Sequence, residues 1–184
     1  MKNFKTKDMV LCAMFVVLII AGTFIKIPIP MLPITLQVMF TTLAGLLLGG
    51  KRGFISVVVY ILLGLLGVPV FTQGGGIAYV LQPSFGYIIG FAVGAFVTGT
   101  IAHQVPNPSY KRLFAASFIG LAIIYAFGMV YFYLISTLYL DKTLGLWQLL
   151  MYCFIPVIPG DIVTNILGIV LAKRLIPIIN KELN

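Results

Sequence analysis

The sequence predicts an all-α integral membrane protein: six transmembrane helices in one membrane domain, residues 1–184, with N- and C-termini cytoplasmic. Three observations carry that expectation. First, 61% of the residues are hydrophobic and 9% are charged, whereas soluble domains hold roughly 45–50% apolar and about 25% charged residues. A soluble fold could not hide this much apolar surface. Second, the apolar runs are long and continuous, without the two-residue alternation of barrel strands. Helices, which satisfy their own backbone groups in lipid, are then the spanning element. Third, Lys2, Lys5, Lys7, Lys51, Arg52, Lys111, Arg112, Lys173, Arg174 and Lys181 all fall at ends of apolar runs. Cations so placed mark cytoplasmic loops, which accounts for the net charge of +8 without a nucleic-acid partner.

The first helix is expected from about Lys7 to Lys26. Its lysines followed by LCAMFVVLIIAG resemble a signal peptide, but no small-residue cleavage site follows, so it is read as retained. KIPIPMLPIT, with Pro28, Pro30 and Pro33, breaks it, because proline lacks the donor that a helix needs. A short second helix runs from about Thr35 to Gly49, Lys51–Arg52 mark a cytoplasmic turn, and a third helix runs from Gly53 to about Leu66. A fourth is expected from about Ser84 to His103, then the polar turn VPNPSYKR, then an aromatic-rich fifth from Leu113 to about Tyr139. After LDKTLG, a final segment from Trp147 to Leu175 is interrupted by Pro156, Pro159 and Gly160. Several of these fall short of the ~20 residues that cross a bilayer unaided, so tilt or a protein-lined break must make up the difference. With the N-terminus inside, only Lys26 and Lys142 among the twelve Lys/Arg face out.

Gly64–Gly90 organises the rest. It carries glycines at 64, 67, 74, 75, 76, 86 and 90, Pro69 and Pro83, and polar Thr72, Gln73, Gln82 and Ser84. Gly74–Gly76 within it cannot be a stable helix, and unpaired backbone is costly in lipid, so irregular chain there belongs in water, inside protein or lining a cavity. Its length is roughly twice that of a typical connection, and it ends in Gln-Pro-Ser-Phe-Gly-Tyr. It is read as an outer loop that covers a ligand, with Gln73, Tyr79, Gln82, Ser84 and Tyr87 as candidate contacts; a plain connector is the competing reading. Thr35 and Gln37 open the second helix on the same side and are further candidates, unless they only cap it.

Asp161 is the sharpest single feature. Asp8 and Glu182 are read as terminal and Asp141 as a loop residue, which leaves Asp161 as the carboxylate within a span. An acid there costs ~2.5–3.5 kcal/mol on insertion scales and usually marks function. Pro159 suits a first helical turn, so the helix dipole favours the Asp161 charge, and Asp161 could also simply cap its own helix. Asn165 lies one turn on, along the same face. Gly45–Lys51 matches most of a phosphate-binding loop, but Arg52 stands where Ser/Thr is required and no strand precedes it. Gly45/Gly49 and Gly86/Gly90/Gly94 read instead as helix-packing positions. His103 has no second ligand in sight, so no metal is expected. Cys12 and Cys153 match no metal or redox spacing, and no catalytic set appears, so an enzyme is not expected. Trp147 and Tyr131, Tyr133, Tyr139 and Tyr152 fit an interface belt, from which one or two could stack on a ligand.

PITLQ at Pro33–Gln37, GLLGVPVF…GG…PSFGY across Gly64–Tyr87 and PGD at Pro159–Asp161 together resemble BioY, the biotin-specific substrate-binding membrane subunit of energy-coupling-factor (ECF) transporters. The resemblance covers nearly the whole chain. It implies a biotin site near the extracellular side and no ATPase or cofactor in this chain. Partners implied are a transmembrane coupling subunit and two ATP-binding-cassette ATPase subunits in the plasma membrane. The family pattern departs at Gln82–Tyr87, which reads closer to Gly-Pro-Thr-Gly-Gly-Tyr elsewhere, at Thr164, where a lysine is common, and at Val17, where a smaller residue is expected. The Thr164 departure leaves the biotin carboxylate without an assigned partner. The first helix, through Ala13, Ala21 and Gly22, is the expected docking surface for the coupling subunit. Competing readings are a subunit for another vitamin, a stand-alone secondary transporter and a membrane scaffold that binds no solute.

Overall fold

A computed structural model of the chain describes residues 5–27, 33–140 and 145–183. Among the described residues are seven α-helices: α1 Thr6–Phe24, α2 Gln37–Leu48, α3 Gly50–Leu65, α4 Phe85–Ala102, α5 Tyr110–Leu138, α6 Leu146–Cys153 and α7 Ile158–Leu183. A two-stranded antiparallel ribbon, β1 Lys26–Ile27 and β2 Ile34–Thr35, links α1 to α2, and a 3₁₀ turn at Ile77–Leu81 precedes α4. Helices α1, α4, α5 and α7 are long and apolar enough to cross a membrane. Helix α2 has 12 residues, about 18 Å of rise, and is too short to cross alone. Lys2, Pro28 and Pro30 of the predicted proline turn, Asp141 and Lys142 of the predicted last loop, and the Lys181 side chain lie outside the described residues.

Several expectations are corrected. Lys51 and Arg52 do not form the turn between the second and third helices; both sit in the first turn of α3. The chain reverses at Gly49 alone, whose φ of +84° admits few residues other than glycine. The interruption expected in the last segment is present, by contrast: it forms two helices, broken at 154–157, with Pro159 and Asp161 in the first turn of α7 as predicted. Asp8, read as terminal, lies inside α1 and is buried. It accepts the Lys5 backbone N–H at 3.0 Å and pairs with Arg52 Nε at 3.1 Å, so it caps α1 and ties it to α3. Tyr131 is not a free belt residue, because its hydroxyl donates to the Val80 carbonyl. Trp147, Tyr133, Tyr139 and Tyr152 are exposed.

Contacts between distant segments gather the cations at one end. Besides Asp8–Arg52, the His103 ring Nε2 lies 2.9 Å from the Leu46 carbonyl oxygen, joining the ends of α4 and α2. Lys173 donates to Asn107 Oδ1 and to the Pro108 carbonyl, each at 2.8 Å, joining α7 to the α4–α5 turn. Lys26 lies beyond the other end of α1. Helices approach closely through glycine: a Cβ on Gly53 would lie 2.9 Å from Gly45 Cα, and one on Gly90 would lie 2.9 Å from Ile124 Cα. Such spacing leaves no room for side chains and brings α2 to α3 and α4 to α5. Gly45–Lys51 therefore serves packing, not phosphate.

The core has two main clusters. Around Phe15, Leu46, Leu48, Leu113 and Ile169 the cation end is filled mainly by aliphatic residues. Toward the other end Tyr60, Phe71, Tyr79, Phe85, Phe91 and Tyr125 make an aromatic cluster. The glycine-rich loop folds back into that aromatic end. Phe71 and Gly74 exchange backbone hydrogen bonds of 2.9 and 3.1 Å, and Gly76 N–H donates to the Gly64 carbonyl at 2.7 Å. Phe71 packs over Gly64, where a side chain would collide with its ring. The loop thus pairs much of its own backbone and closes the top of the bundle.

Candidate ligand-binding site

Beneath that loop lies a cavity of about 60 Å³. Its polar wall comes from five segments: Thr35 from β2, Gln37 from α2, Thr72 and Tyr79 from the loop, Ser84 and Tyr87 from the start of α4, and Asp161 from α7. Pro33, Val38, Ile88, Phe91 and Val157 complete it with apolar surface. Six predicted candidates therefore share one cavity, Thr35, Gln37, Tyr79, Ser84, Tyr87 and Asp161. Three do not line it. Gln73 is exposed at the tip of the Phe71–Gly74 turn, and Gln82 is exposed where the 3₁₀ turn ends. Asn165 is fully buried, with neither side-chain N nor O hydrogen-bonded among the described residues.

Asp161 is 3% exposed. Its Oδ2 accepts the Tyr125 hydroxyl at 2.7 Å, whereas Oδ1 is buried with no hydrogen-bond partner among the described residues. A buried polar atom left unpaired costs roughly 1–3 kcal/mol, so Oδ1 is an acceptor in want of a donor. Thr164 does not supply one, because its hydroxyl donates back to the Asp161 carbonyl at 3.1 Å. Around this carboxylate the rings pack edge to face, Tyr87 on Tyr125 with centroids at 6.0 Å and Tyr125 on Phe154 at 5.0 Å. Tyr87 also donates to the Cys153 carbonyl at 3.0 Å, which fixes the end of α6 against α4.

The opposite wall is a relay of amide and hydroxyl groups. Thr35 Oγ1 donates to Gln37 Oε1 at 3.2 Å and accepts the Gln37 backbone N–H at 3.3 Å. Gln37 Nε2 donates to Tyr60 Oη at 2.7 Å, and Tyr60 donates on to the Val70 carbonyl at 3.3 Å. Thr35 and Gln37 thus order the start of α2 and also join it to the loop. Thr72 Oγ1 and Tyr79 Oη lie 2.9 Å apart, and the Tyr79 ring rests on Phe71 with centroids 4.5 Å apart.

Sequence reasoning missed Tyr60, Thr72 and Tyr125. The two tyrosines had a readable signal, since a hydroxyl deep in an apolar helix needs a partner and so points to a polar neighbour. Thr72 had none beyond its place in the loop. Among the described residues no group of three or more His, Cys, Asp or Glu could hold a metal.

A helical membrane protein that closes a polar, aromatic-walled cavity beneath a folded loop has the architecture of a membrane solute-binding subunit. The particular lineage follows from comparison with known proteins. The model of the BioY family matches residues 1–181, and this chain belongs to that family. It is 46% identical over 175 residues to the probable biotin transporter BioY of Lysinibacillus sphaericus, covering 95% of this chain and 89% of that one. It is 38% identical over 172 residues to the probable biotin transporter BioY of Pyrococcus horikoshii, covering 93% and 97%. The fold matches the crystal structure of an S-component for biotin from an ECF-type ABC transporter with a TM-score of 0.80, at 32% identity, over 95% of this chain and 93% of that one. The chain is a multi-pass protein of the plasma membrane and a transport component, not an enzyme.

Proposed function

We propose that this chain is the high-affinity biotin-binding subunit of an ATP-driven ECF-type uptake transporter. The observation that carries the reading is the buried, unpaired Oδ1 of Asp161, a residue that lines the cavity beneath the loop, in a chain of the BioY family. Biotin presents a ureido ring with two N–H donors, an apolar thiophane ring and a carboxylate on a flexible chain. Asp161 accepts a ureido N–H, Gln37 and Ser84 supply further polar contacts, and Tyr79, Tyr87 and Phe91 cover the rings. A cavity of about 60 Å³ is smaller than the roughly 300–1,000 Å³ of typical ligand sites. Binding therefore requires the wall to yield, and the loop that carries Thr72 and Tyr79 is the segment that moves.

In this reading the chain crosses the membrane six times, by α1 to α5 and α7, with both termini and the cation end in the cytoplasm. The cavity then opens outward. The ATPase pair and the transmembrane coupling subunit are separate chains, and no cofactor is required. Equilibrium dialysis of the purified protein with labelled biotin, with other vitamins as competitors, tests the function. Saturable binding displaced by biotin alone is expected. Displacement by a different vitamin would reassign the solute, and no binding at all would favour a scaffold. Uptake that persists in cells lacking the ATPase subunits would make it a stand-alone carrier.

A further inference from the structure

We propose that Lys26 is the cation that receives the carboxylate of the bound solute at the mouth of the cavity. This rests on the biotin reading above.

Cations held at the other end cannot take this part. Arg52 pairs with Asp8, Arg112 donates to Gln104 Oε1 at 2.8 Å, and Lys173 is held by Asn107 and Pro108. Lys51 lies beside Asp8 and His103 at that same end. Among the described residues Lys26 is the one lysine or arginine at the cavity end. Its position is set twice. In the ribbon, Lys26 is in register with Thr35, a cavity residue, and directly opposed residues bring their Cβ atoms to about 4.5–5.5 Å. Its Nζ donates to the Thr72 carbonyl at 3.1 Å, and Thr72 is a second cavity residue. The side chain therefore reaches from opposite Thr35 to Thr72, two residues that line the cavity.

Lys26 is also underused. An ammonium carries three donors, and among the described residues it has one neutral carbonyl as its hydrogen-bond acceptor and no carboxylate partner. It is exposed, so its flexible stem can swing from the carbonyl to an anion with little disturbance. Among the described residues that line the cavity there is no lysine or arginine. A solute with N–H donors at one end and a carboxylate on a flexible chain at the other matches the polarity of Asp161 inside and Lys26 at the rim.

The test uses purified full-length protein titrated with biotin and with its neutral carboxamide. Wild type is expected to prefer the acid, and the preference should shrink as salt screens an exposed ion pair. Lys26→Met should lose about tenfold in affinity for the acid while binding the amide as wild type does, the loss expected of one charge-assisted bond. Lys26→Arg should keep the preference. Unchanged acid binding by Lys26→Met would overturn the assignment. Equal losses for acid and amide would overturn it too, reducing Lys26 to a strut for the Thr72 loop. Wild type that binds neither compound would instead overturn the biotin reading.

Discussion

In the proposed site Asp161 and Tyr125 divide one carboxylate between two tasks. Tyr125 donates to Oδ2 and holds the group in place, while Oδ1, with no hydrogen-bond partner among the described residues, is the atom proposed to meet the ligand. Asp161→Asn keeps the shape, but half of its polar end becomes a donor facing the ureido donors. A hydrogen bond to a charged group is worth ~1.5–3 kcal/mol, so affinity for biotin should fall about tenfold or more in titrations of the purified variant. If Asp161 only capped α7, Asn would serve about as well and the dissociation constants would be equal. Tyr125→Phe strips Oδ2 of its donor and should weaken binding severalfold with a lower melting temperature. Because Tyr125 acts through Asp161, adding Tyr125→Phe to Asp161→Asn should cost little further affinity; additive losses would make Tyr125 an independent wall residue. Asp161 was legible because an acid in an apolar run is costly wherever it points. The Tyr125 hydroxyl signalled a polar neighbour but not which one, because its partner lies 36 residues away.

The loop between α3 and α4 behaves as a folded element rather than a tether. Gly74 and Gly76 hold φ of +113° and +105°, while Gly75 is tight for space: a Cβ there would run into the Val68 carbonyl and lie 3.0 Å from the Gly64 oxygen. Gly75→Val should displace Thr72 and Tyr79 from the cavity and weaken biotin binding at least about tenfold, while the protein still inserts and purifies as a single species. Wild-type affinity in a well-folded Gly75→Val protein would remove the loop from site closure. Glycine and proline revealed where helix is forbidden, because that preference is local. That Phe71 would settle over Gly64, and so bring Thr72 and Tyr79 inward, depends on a surface built by another segment.

Across the whole molecule, α1 offers an exposed stripe of Val10, Ala13, Val17 and Ala21 on its outer face. Gly22 is no part of it. That residue is buried against α2, where a Cβ would lie 2.7 Å from the Phe40 ring and 3.1 Å from the Leu36 carbonyl carbon. Small residues let helices approach closely in lipid, so Ala13→Trp should abolish uptake in cells carrying the coupling and ATPase subunits while the isolated subunit still binds biotin. Undiminished pull-down of the coupling subunit would place docking on another helix. The sequence by itself determined the helical membrane class, the gathering of cations, the glycine-rich loop and the costly position of Asp161, though not that Asp8 too lies inside a helix. These follow from insertion costs and backbone preferences that each residue carries wherever it sits. Only the tertiary structure decided that Thr72 and Ser84 face the cavity while their neighbours Gln73 and Gln82 face out, and that Asp8 closes on Arg52 rather than trailing at a terminus. One or two steps along a turn reverse the direction of a side chain, and the partner that fixes the direction comes from a distant segment through packing.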